Sequence, residues 1–448
     1  MQNLFIGISK YLFIILMAFF VFFSFIILRD RKDASHKTAI RIQSMMMYLF
    51  HLIAYAVIYL NTQDNTIILF YGGQLIFLII FRGLYDVIYD KSYSKGLMNN
   101  MCMFLCISFV MLTRLYYNKA VKQFMIVCAA AILALIIPAI VRKYKNLPNL
   151  TYIYCFAGIA FLAVVLVIGQ ITGGAKLSVS ILGFSFQPSE FVKILYVFFI
   201  AAFLNKSTKF SHILVSAIFA GVHVIILVLS RDLGSALIFF VVYVIMIYVA
   251  TGKSRYLFAG IIGGSLAAIV GYQLFSHIRV RVQAFVDPWS VIDTGGYQVA
   301  QSLFAIGTGG FLGLGLYKGL PTSVPLVEQD FMFSAISEEL GGFFAISLVF
   351  LCMSCFVYFI KSAMKQKEMF YKLTGLGLSV TYAVQTILTI GGAIKFIPST
   401  GVTLPLVSYG GSSVLCTMIM FAVLQGLFVL AYENEKVEKE HEHEKSRG

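Results

Sequence analysis

Residues 232–255, DLGSALIFFVVYVIMIYVATGKSR, show the pattern that indicates the fold class. Its apolar run of about 19 residues is long enough to cross roughly 30 Å of hydrocarbon as an α-helix, and Lys253 and Arg255 follow directly. Similar runs of about 17 to 25 residues recur along the 448-residue chain, which is 60% hydrophobic and 12% charged, with a mean hydropathy of +0.88. Soluble domains usually carry about a quarter charged residues, so this sequence predicts a membrane protein.

The apolar runs predict an all-α polytopic protein with about 13 transmembrane helices. We place them near residues 11–29, 44–61, 66–82, 97–114, 121–141, 150–170, 187–204, 210–228, 232–250, 256–275, 331–360, 372–392 and 408–432. The first three would form an N-terminal extension, residues 1–95, ahead of a ten-helix core, residues 96–432. The core would include a long outer loop, about residues 276–330, and residues 433–448 would form a charged, solvated tail.

The basic residues predict how the helices are oriented. Lysine and arginine concentrate in alternate loops, such as 29–41 and 361–372, so the formal charge of +14 reflects topology and not a nucleic-acid surface. By the positive-inside rule these loops are cytoplasmic, which places the N-terminus outside and the C-terminal tail inside. The first apolar run is long and ends in basic residues, so we expect a retained span and no cleavable signal peptide. Arg114, Lys119 and Lys122 violate the rule, because they fall on the predicted outer side.

The cysteines and histidines do not indicate a disulfide framework or a metal centre. All seven cysteines sit inside apolar runs, and the CxxC pair Cys352 and Cys355 lies within a predicted membrane helix, so buried thiols are expected. His441 and His443 stand in the charged tail, which we expect to be disordered rather than to bind metal.

Three segments on the predicted outer side differ from ordinary connecting loops: residues 171–190, 276–330 and 393–411. The middle segment is rich in Gly, Asp and Arg and contains the only tryptophan, Trp289. Long loops of this kind are usually functional. We therefore expect any chemistry to take place at the outer face.

Ionisable groups inside predicted spans are costly, which makes them functional candidates. In QPSEFVK, residues 187–193, Glu190 and Lys193 are three apart, so they share one helix face and can pair. The pair either holds helices together or binds a substrate headgroup. In SRDLGSAL, residues 230–237, Asp232 is expected to cap the following helix.

The long loop combines arginines with a glycine-rich stretch. Arg279 and Arg281 can fork onto phosphate oxygens or anchor to lipid headgroups. Residues 298–306 are amphipathic and predict a short interfacial helix. Five glycines follow, and they would let the backbone approach a ligand closely: Gly307, Gly309, Gly310, Gly313 and Gly315.

Polar residues also mark EQDFMFSAISEEL, residues 328–340, where the next membrane helix is expected to begin. Asp330 can act as its N-cap. Ser334 and Ser337 follow at i+4 and i+7, and Glu338 lies near the same face, which is unusual for capping alone. A carboxylate at the edge of low dielectric can have its pKa raised toward a value suited to general-base catalysis, so Asp330 is also a catalytic candidate.

The last distinctive segment is IPSTGVTLPLVSYGGSS, residues 397–413, whose prolines and Gly–Gly pair break any helix. Irregular backbone at membrane depth is tolerated where it lines a protein cavity. The segment is therefore either a substrate-lining re-entrant stretch, with Ser408, Gly410 and Gly411 at the site, or an ordinary turn.

Six of these pieces, in order, resemble motifs of the SEDS family (shape, elongation, division and sporulation), which comprises RodA- and FtsW-like bacterial peptidoglycan glycosyltransferases. They read QPSEFVK, DLGSAL, DPW with GGYQVAQS, GTGGFLGLG, QDFMFSAISEELG and TLPLVSYGGSS, between about residues 97 and 432. The chain departs from the family at GGAKLSVSI, where Lys176 replaces an Arg and no Trp follows, and at SRDLG, where QPDLG is frequent. Thr400 stands where division-type members carry a Lys.

The resemblance implies polymerisation of lipid II at the outer face of the bacterial cytoplasmic membrane, with undecaprenyl diphosphate as the leaving group. Asp330 matches the family's catalytic aspartate, which would deprotonate the acceptor hydroxyl and invert the α-linked phosphate to a β-1,4 glycan. We assign Arg279 and Arg281 to the diphosphate. The other predicted substrate-binding residues are Lys176, Glu190, Lys193, Ser334, Ser337, Glu338, Ser408, Gly410 and Gly411.

The resemblance also implies partners. A divalent cation, Mg or Mn, would accompany the diphosphate, although no metal-ligand spacing in the sequence shows it. A class B penicillin-binding protein would cross-link the product, because this chain has no soluble domain for that task. The alternatives are a lipid II flippase or transporter and a non-catalytic scaffold of an elongation, division or sporulation complex. The absence of internal repeats and the outer position of the helix breakers disfavour a transporter, and the presence of Asp330 disfavours a scaffold.

Overall fold

The computed structural model describes residues 2–29, 34–172, 175–181 and 184–445, in which it has sixteen α-helices, four short 3-10 or π-helical turns and three short strands. The helices up to the sheet are α1 Gln2–Ile27, α2 Ala34–Thr62, α3 Asn65–Tyr89, α4 Lys95–Leu115, α5 Tyr117–Lys143 and α6 Thr151–Ile168. The strands are β1 Gln170–Thr172, β2 Ala175–Ile181 and β3 Phe184–Phe186. The later helices are α7 Pro188–Lys206, α8 Phe210–Leu229, α9 Leu233–Thr251, α10 Ser254–Leu274, α11 Ser276–Val286, α12 Tyr297–Gly309, α13 Met332–Leu340, α14 Gly342–Met364, α15 Met369–Ala393 and α16 Gly411–Lys445.

The predicted membrane helices are present in the structure. Twelve helices among the described residues are long and apolar enough to cross a membrane. The remaining predicted span corresponds to α6, which is apolar but shorter, with its apolar part at Thr151–Val167. The all-helical polytopic class predicted from hydropathy is confirmed.

Helices α1, α2, α5 and α14 pack around α4, whose apolar stretch is entirely buried. The N-terminal helices α1 and α2 pack against each other and cover α14 and α4, and α3 lies against α5. In contrast, α10 is peripheral: it packs against α9 and α11 and contributes no buried residue. The N-terminal extension is therefore joined to the core over several helices.

A small sheet forms in the segment after α6, where the sequence did not predict strands. Strand β2 is central and pairs antiparallel with β1 on one side and β3 on the other. The register places Ile171 opposite Lys176 and Ser180 opposite Ser185. The β-branched residues and alternating pattern of AKLSVSI suit a strand.

The prediction of one continuous membrane helix over residues 331–360 is wrong. The helix breaks at Gly341, where φ is +91°, so that α13 and α14 are separate. A Cβ at Gly341 would lie 2.4 Å from the backbone nitrogen of Gly313. The break exists because another glycine segment approaches the backbone at this point, which hydropathy along the chain could not reveal.

The cysteines agree with the prediction from the sequence, whereas the C-terminal tail differs from it. All seven cysteines are free thiols within described helices, and six of them are buried, as predicted. The tail, however, continues α16 as a helix to Lys445, exposed over residues 435–443, so the expectation of disorder is wrong over the described residues. Alternating acids and bases support it, as in the pair Lys436 and Glu440, whose Nζ and Oε1 atoms are 3.8 Å apart.

Candidate functional site

Polar segments from distant parts of the chain meet at one end of the helix bundle, which we call the loop end. Among the described residues it comprises 169–172, 175–181, 184–187, 230–232, 275–341 and 394–410. The carboxylate of Asp232 connects the segment 230–232 to the first turns of α9 and α7. It caps α9 by accepting a hydrogen bond from the Ser235 backbone nitrogen at 3.1 Å, as predicted, and it accepts a second one from Ser189 Oγ at 2.9 Å.

Asp330, Arg281 and Gly401 come together at the loop end from three segments. Arg281, on α11, donates a hydrogen bond from Nη1 to the Ser399 carbonyl at 3.3 Å. Gly401, two residues further, adopts φ +74°. A Cβ placed on Gly401 would lie 3.4 Å from Arg281 Nη2 and 3.6 Å from Asp330 Oδ2. The acidic and the basic side chain therefore both border a position that has no side chain.

Asp330 does not cap the helix that follows it. The residue at the N-cap of α13 is Phe331, which makes no side-chain cap, and the Asp330 backbone nitrogen donates instead to the Leu326 carbonyl at 3.2 Å. The Asp330 side chain is partly open to solvent. The capping interpretation is wrong, and the carboxylate remains available for chemistry.

The surroundings of Asp330 favour a carboxylic acid that titrates near neutrality. Burial raises the pKa of Asp330 to about 6, with Arg281 opposing the rise and the Glu328 carboxylate adding to it. Burial also lowers the pKa of Arg281, while Asp330 and Asp232 act in the opposite direction. A carboxylate with such a pKa can accept a proton in its ionised form and release it again at neutral pH.

Arg279 occupies a different position from Arg281. Arg279 is exposed, as Arg281 is, but its Nη1 donates to the Gln273 carbonyl at 3.4 Å and not to the segment that contains Gly401. Of the two arginines predicted to hold diphosphate, the structure brings only Arg281 to Asp330. The difference arises because residues two apart on a helix point in directions about 200° apart.

Glu190 and Lys193 form the predicted ion pair inside the bundle, with 2.8 Å between Oε2 and Nζ. Both side chains are buried. Lys193 also donates to Gln385 Oε1 at 2.8 Å, and Gln385 Nε2 donates to the Thr403 carbonyl at 3.0 Å. The pair is thereby connected, through α15, to the irregular segment that contains Gly401.

Ser334, Ser337 and Glu338 are buried in α13, and the predicted polar stripe that includes Asp330 is wrong, because Asp330 precedes the helix. Ser334 Oγ is 2.6 Å from Ser302 Oγ, and Ser337 donates to the Phe333 carbonyl at 2.8 Å. Glu338 Oε1 accepts a hydrogen bond from the Leu320 backbone nitrogen at 2.8 Å. These contacts fix α13 within the protein.

The glycine-rich segment, residues 309–315, packs against α13 at Gly309 and Gly313, whereas a Cβ at Gly307 or Gly310 would have open space around it. The close approach of these glycines to a ligand stays a prediction. A Cβ at Gly309 would lie 2.2 Å from the Ser337 carbonyl oxygen. The backbone nitrogens of Leu314 and Gly315 donate to the carbonyls of Glu338 and Glu339 at 3.0 and 2.9 Å. The segment satisfies carbonyls at the C-terminal end of α13 that the helix itself leaves free.

Two ion pairs account for two of the three basic residues that violated the positive-inside rule, Arg114 and Lys119. Arg114 binds Glu339 with 3.0 Å between Nη2 and Oε1, and the Glu339 side chain is fully buried. Lys119 binds Glu328 with 2.6 Å between Nζ and Oε1. Sequence reasoning missed both pairs, although the misplaced charges of residues 114 and 119 were the signal. They hold the ends of the stretch 328–339, which includes Asp330.

The segment at the start of α16 is held by a buried glutamine that sequence reasoning missed. Gln123 of α5 donates from Nε2 to the Ser408 carbonyl and accepts at Oε1 from the Gly410 nitrogen, both at 3.0 Å. Ser408 itself is buried, and its Oγ accepts from the Leu404 nitrogen at 3.1 Å. A Cβ at Gly411 would lie 2.7 Å from Ile126 Cδ1. The irregular structure predicted for residues 397–413 is present over residues 397–410, whereas residues 411–413 already belong to α16.

The remaining site predictions concern Lys176 and metal. Lys176 lies in β2, and its side chain is outside the described part of the structure. No group of three or more His, Cys, Asp or Glu side chains suited to a metal ion occurs among the described residues.

The bundle and its loop-end site define a multi-pass membrane protein with an acid–base group just outside its spanning helices. The chain belongs to the FtsW/RodA/SpoVE family, described as cell cycle protein, whose family model matches residues 93–432. The predicted SEDS resemblance is confirmed. The N-terminal helices α1 to α3 lie outside the matched region.

Individual relatives agree with this assignment. The chain is 31% identical over 325 residues to the peptidoglycan glycosyltransferase RodA of Mycobacterium leprae, covering 69% of this chain and 70% of that protein. It is 34% identical over 302 residues to RodA of Mycobacterium tuberculosis, covering 63% and 64%. The matches thus span about two thirds of these relatives. The fold is similar to a chain of a solved peptidoglycan synthase complex, with a TM-score of 0.64 and 24% identity, covering 76% of this chain and 98% of that one.

Proposed function

We propose that this protein is a peptidoglycan glycosyltransferase that joins lipid II disaccharide units into glycan strands. The observation that carries the proposal is the position of Asp330, whose carboxylate shares the space around Gly401 with Arg281 and whose pKa is about 6. The relatives that carry the name peptidoglycan glycosyltransferase support the reaction class.

In the proposed reaction Asp330 is the general base. Its carboxylate accepts the proton of the acceptor sugar hydroxyl while that oxygen attacks the anomeric carbon of the donor. The new glycosidic bond forms as the bond from that carbon to the diphosphate oxygen breaks, and undecaprenyl diphosphate leaves with the electron pair. Attack from the opposite side inverts the α-linked phosphate to a β-1,4 glycan.

Arg281 has the position to stabilise the leaving diphosphate. Its guanidinium is planar, permanently charged and able to bind two phosphate oxygens at once. Because Arg281 also lowers the pKa of Asp330, it favours the ionised base before the reaction. Arg279, whose guanidinium binds the Gln273 carbonyl, would contact the incoming diphosphate at the rim of the site.

The other predicted residues would shape the cavity. We assign the Glu190–Lys193 pair to its floor, because it is tied to the irregular segment through Gln385. Ser408, Gly410 and Gly411 would line the wall, and Lys176 would approach the substrate from the sheet. Ser334, Ser337 and Glu338 would act indirectly, by holding α13.

A divalent cation, Mg or Mn, would come to the site with the diphosphate. The residues next to Asp330 do not fit a cation held by the protein alone, since Glu328 is bound to Lys119 and a guanidinium faces the remaining carboxylate. Arg281 supplies positive charge from the chain itself. No step of the proposed reaction on the protein side depends on the ion.

The proposed location is the bacterial cytoplasmic membrane, with the loop end extracytoplasmic and the C-terminus cytoplasmic. The basic loops on the opposite side support this orientation. We propose a class B penicillin-binding protein as the partner that cross-links the product. The similarity in fold to a chain of a solved peptidoglycan synthase complex supports such an assembly.

Polymerisation of fluorescent lipid II by the purified protein with its class B partner tests the proposal. Wild type should give glycan strands on a gel, Asp330→Asn should give none, and Asp293→Asn should behave as wild type, because Asp293 is an exposed aspartate of the same loop. Equal polymer from wild type and Asp330→Asn would move the base elsewhere. Lipid II crossing vesicle membranes without polymer would establish a flippase instead, and neither activity would indicate a scaffold.

A further inference from the structure

The N-terminal helices are attached to the core by polar contacts within the bundle. Asn100 of α4 donates to Ser24 Oγ of α1 at 2.8 Å and to Ser354 Oγ of α14 at 2.9 Å. Gln43 of α2 donates to Asn100 Oδ1 at 3.1 Å. Buried hydrogen bonds of this kind fix helices in register, because an unpaired amide in this environment is costly. The position of α1 relative to the core is therefore specified.

Aromatic contacts extend this attachment toward the loop end. The ring of Phe13 in α1 packs edge-on against Phe50 in α2, with 5.4 Å between centroids. Phe50 stacks in turn on Phe344, at 5.7 Å. Phe344 lies in the first turn of α14, three residues after the break at Gly341. The extension thus packs directly beside the junction between α13 and α14.

Lys10 of α1 contacts that junction. Its Nζ donates a hydrogen bond to the Gly313 carbonyl at 3.3 Å. Gly313 lies against the break, where a Cβ would be 2.6 Å from the Glu339 carbonyl oxygen and 2.6 Å from the Gly341 nitrogen. Glycine has more backbone freedom than other residues, and at φ +72° the Gly313 carbonyl gains a restraint from the Lys10 ammonium group.

We propose that Lys10 is a positioning residue for glycosyl transfer: by binding the Gly313 carbonyl, α1 holds the glycine-rich segment against α13 and thereby fixes Asp330. Asp330 lies two residues before α13, whose C-terminal carbonyls are bound by Leu314 and Gly315. The inference rests on the proposed function. It also gives the N-terminal extension, which lies outside the matched family region, a role in the reaction.

The test compares Lys10→Met and Lys10→Arg with Lys37→Met, which removes an exposed lysine of the same extension. We expect Lys10→Met to lower kcat for lipid II polymerisation by roughly 3- to 10-fold, because a misplaced base slows the reaction more than binding. KM and the thermal unfolding midpoint should stay close to those of Lys37→Met. Lys10→Arg, which keeps a donor, should recover most of kcat.

Hydrogen–deuterium exchange provides a readout that does not depend on activity. The amides of Leu314 and Gly315 should exchange faster in Lys10→Met than in wild type and Lys37→Met. Unchanged exchange, or faster exchange with unchanged kcat, would overturn the positioning role. A wild type that does not polymerise would overturn the proposed function and with it any catalytic role for Lys10, while the exchange data would still show whether Lys10 restrains the segment.

Discussion

At the scale of single residues, the site depends on what surrounds one carboxylate. Asp330 is half-buried, and this burial raises its pKa, while Arg281 keeps that rise moderate. Gly401 leaves space in the site because it has no side chain. A Cβ at this position would contact both Arg281 and Asp330. Its positive φ adds a second reason for glycine at this position.

Gly401→Ala should therefore reduce polymerisation strongly. The added methyl would occupy the space between Arg281 Nη2 and Asp330 Oδ2, and φ +74° is unfavourable for alanine. We expect kcat/KM to fall by roughly 10- to 100-fold, as small displacements of catalytic groups do. Gly307→Ala is the matched control, because a Cβ at Gly307 has open space around it. Equal activity of the two variants would show that the Gly401 position is not part of the site.

The sequence identified some of these residues and not others, for physical reasons. Asp330 could be predicted because the family motif that contains it is contiguous in sequence and because the residue directly precedes an apolar run. The sequence could not predict that only Arg281, and not Arg279, lies next to Asp330, because this depends on how α11 packs against residues 399–401. Gly401 was missed because a backbone dihedral angle and a neighbouring side chain from another segment define its role.

At the scale of elements, α13 is the part that holds Asp330 in place. It is a nine-residue helix with every residue buried, bounded by Phe331 and the break at Gly341. The glycine-rich segment binds its C-terminal carbonyls, and Arg114 of α4 neutralises Glu339 within it. A short helix has little stability of its own, so these tertiary contacts determine its position.

Arg114→Met should destabilise the protein because it leaves the buried Glu339 carboxylate without its partner. We expect a loss of about 3 kcal/mol in the free energy of unfolding, measured by thermal or denaturant unfolding in detergent. The double variant Arg114→Met with Glu339→Met should recover part of that loss, since it removes both charges. Lys122→Met, at an exposed position of the same end, should have little effect. A single variant as stable as this control would contradict the proposed role of the ion pair.

The break before α14 marks the limit of sequence reasoning at this scale. Residues 331–360 are apolar enough to predict one membrane helix, and nothing local shows that Gly341 interrupts it. The interruption requires the backbone of Gly313, 28 positions earlier, to lie in contact with it. Likewise, the sequence showed that the basic residues 114 and 119 violate the positive-inside rule, but it could not show which acidic residues they bind.

At the scale of the whole molecule, hydropathy was sufficient to predict most of the architecture. The lipid-facing surface requires long apolar runs, and backbone hydrogen bonding in lipid requires helices, so twelve of the predicted spans appear as long helices. The small sheet was not predicted, because it lies outside the apolar runs and is not subject to the requirements that lipid imposes on the membrane helices. How α1 to α3 attach to the core also escaped prediction, because Asn100 and Lys10 act through partners far away in sequence.

The most direct test of the account is the pH dependence of kcat/KM for polymerisation in wild type, Arg281→Gln and Arg279→Gln. Asp330 acts as a base only when ionised, so wild-type activity should fall as the pH decreases through about 6. Arg281→Gln removes the charge that lowers the pKa of Asp330, so its acid limb should move to higher pH, whereas Arg279→Gln should leave the limb in place. A wild-type profile without an acid limb near pH 6, or the same limb in all three proteins, would contradict the assignment of Asp330 as a general base tuned by Arg281.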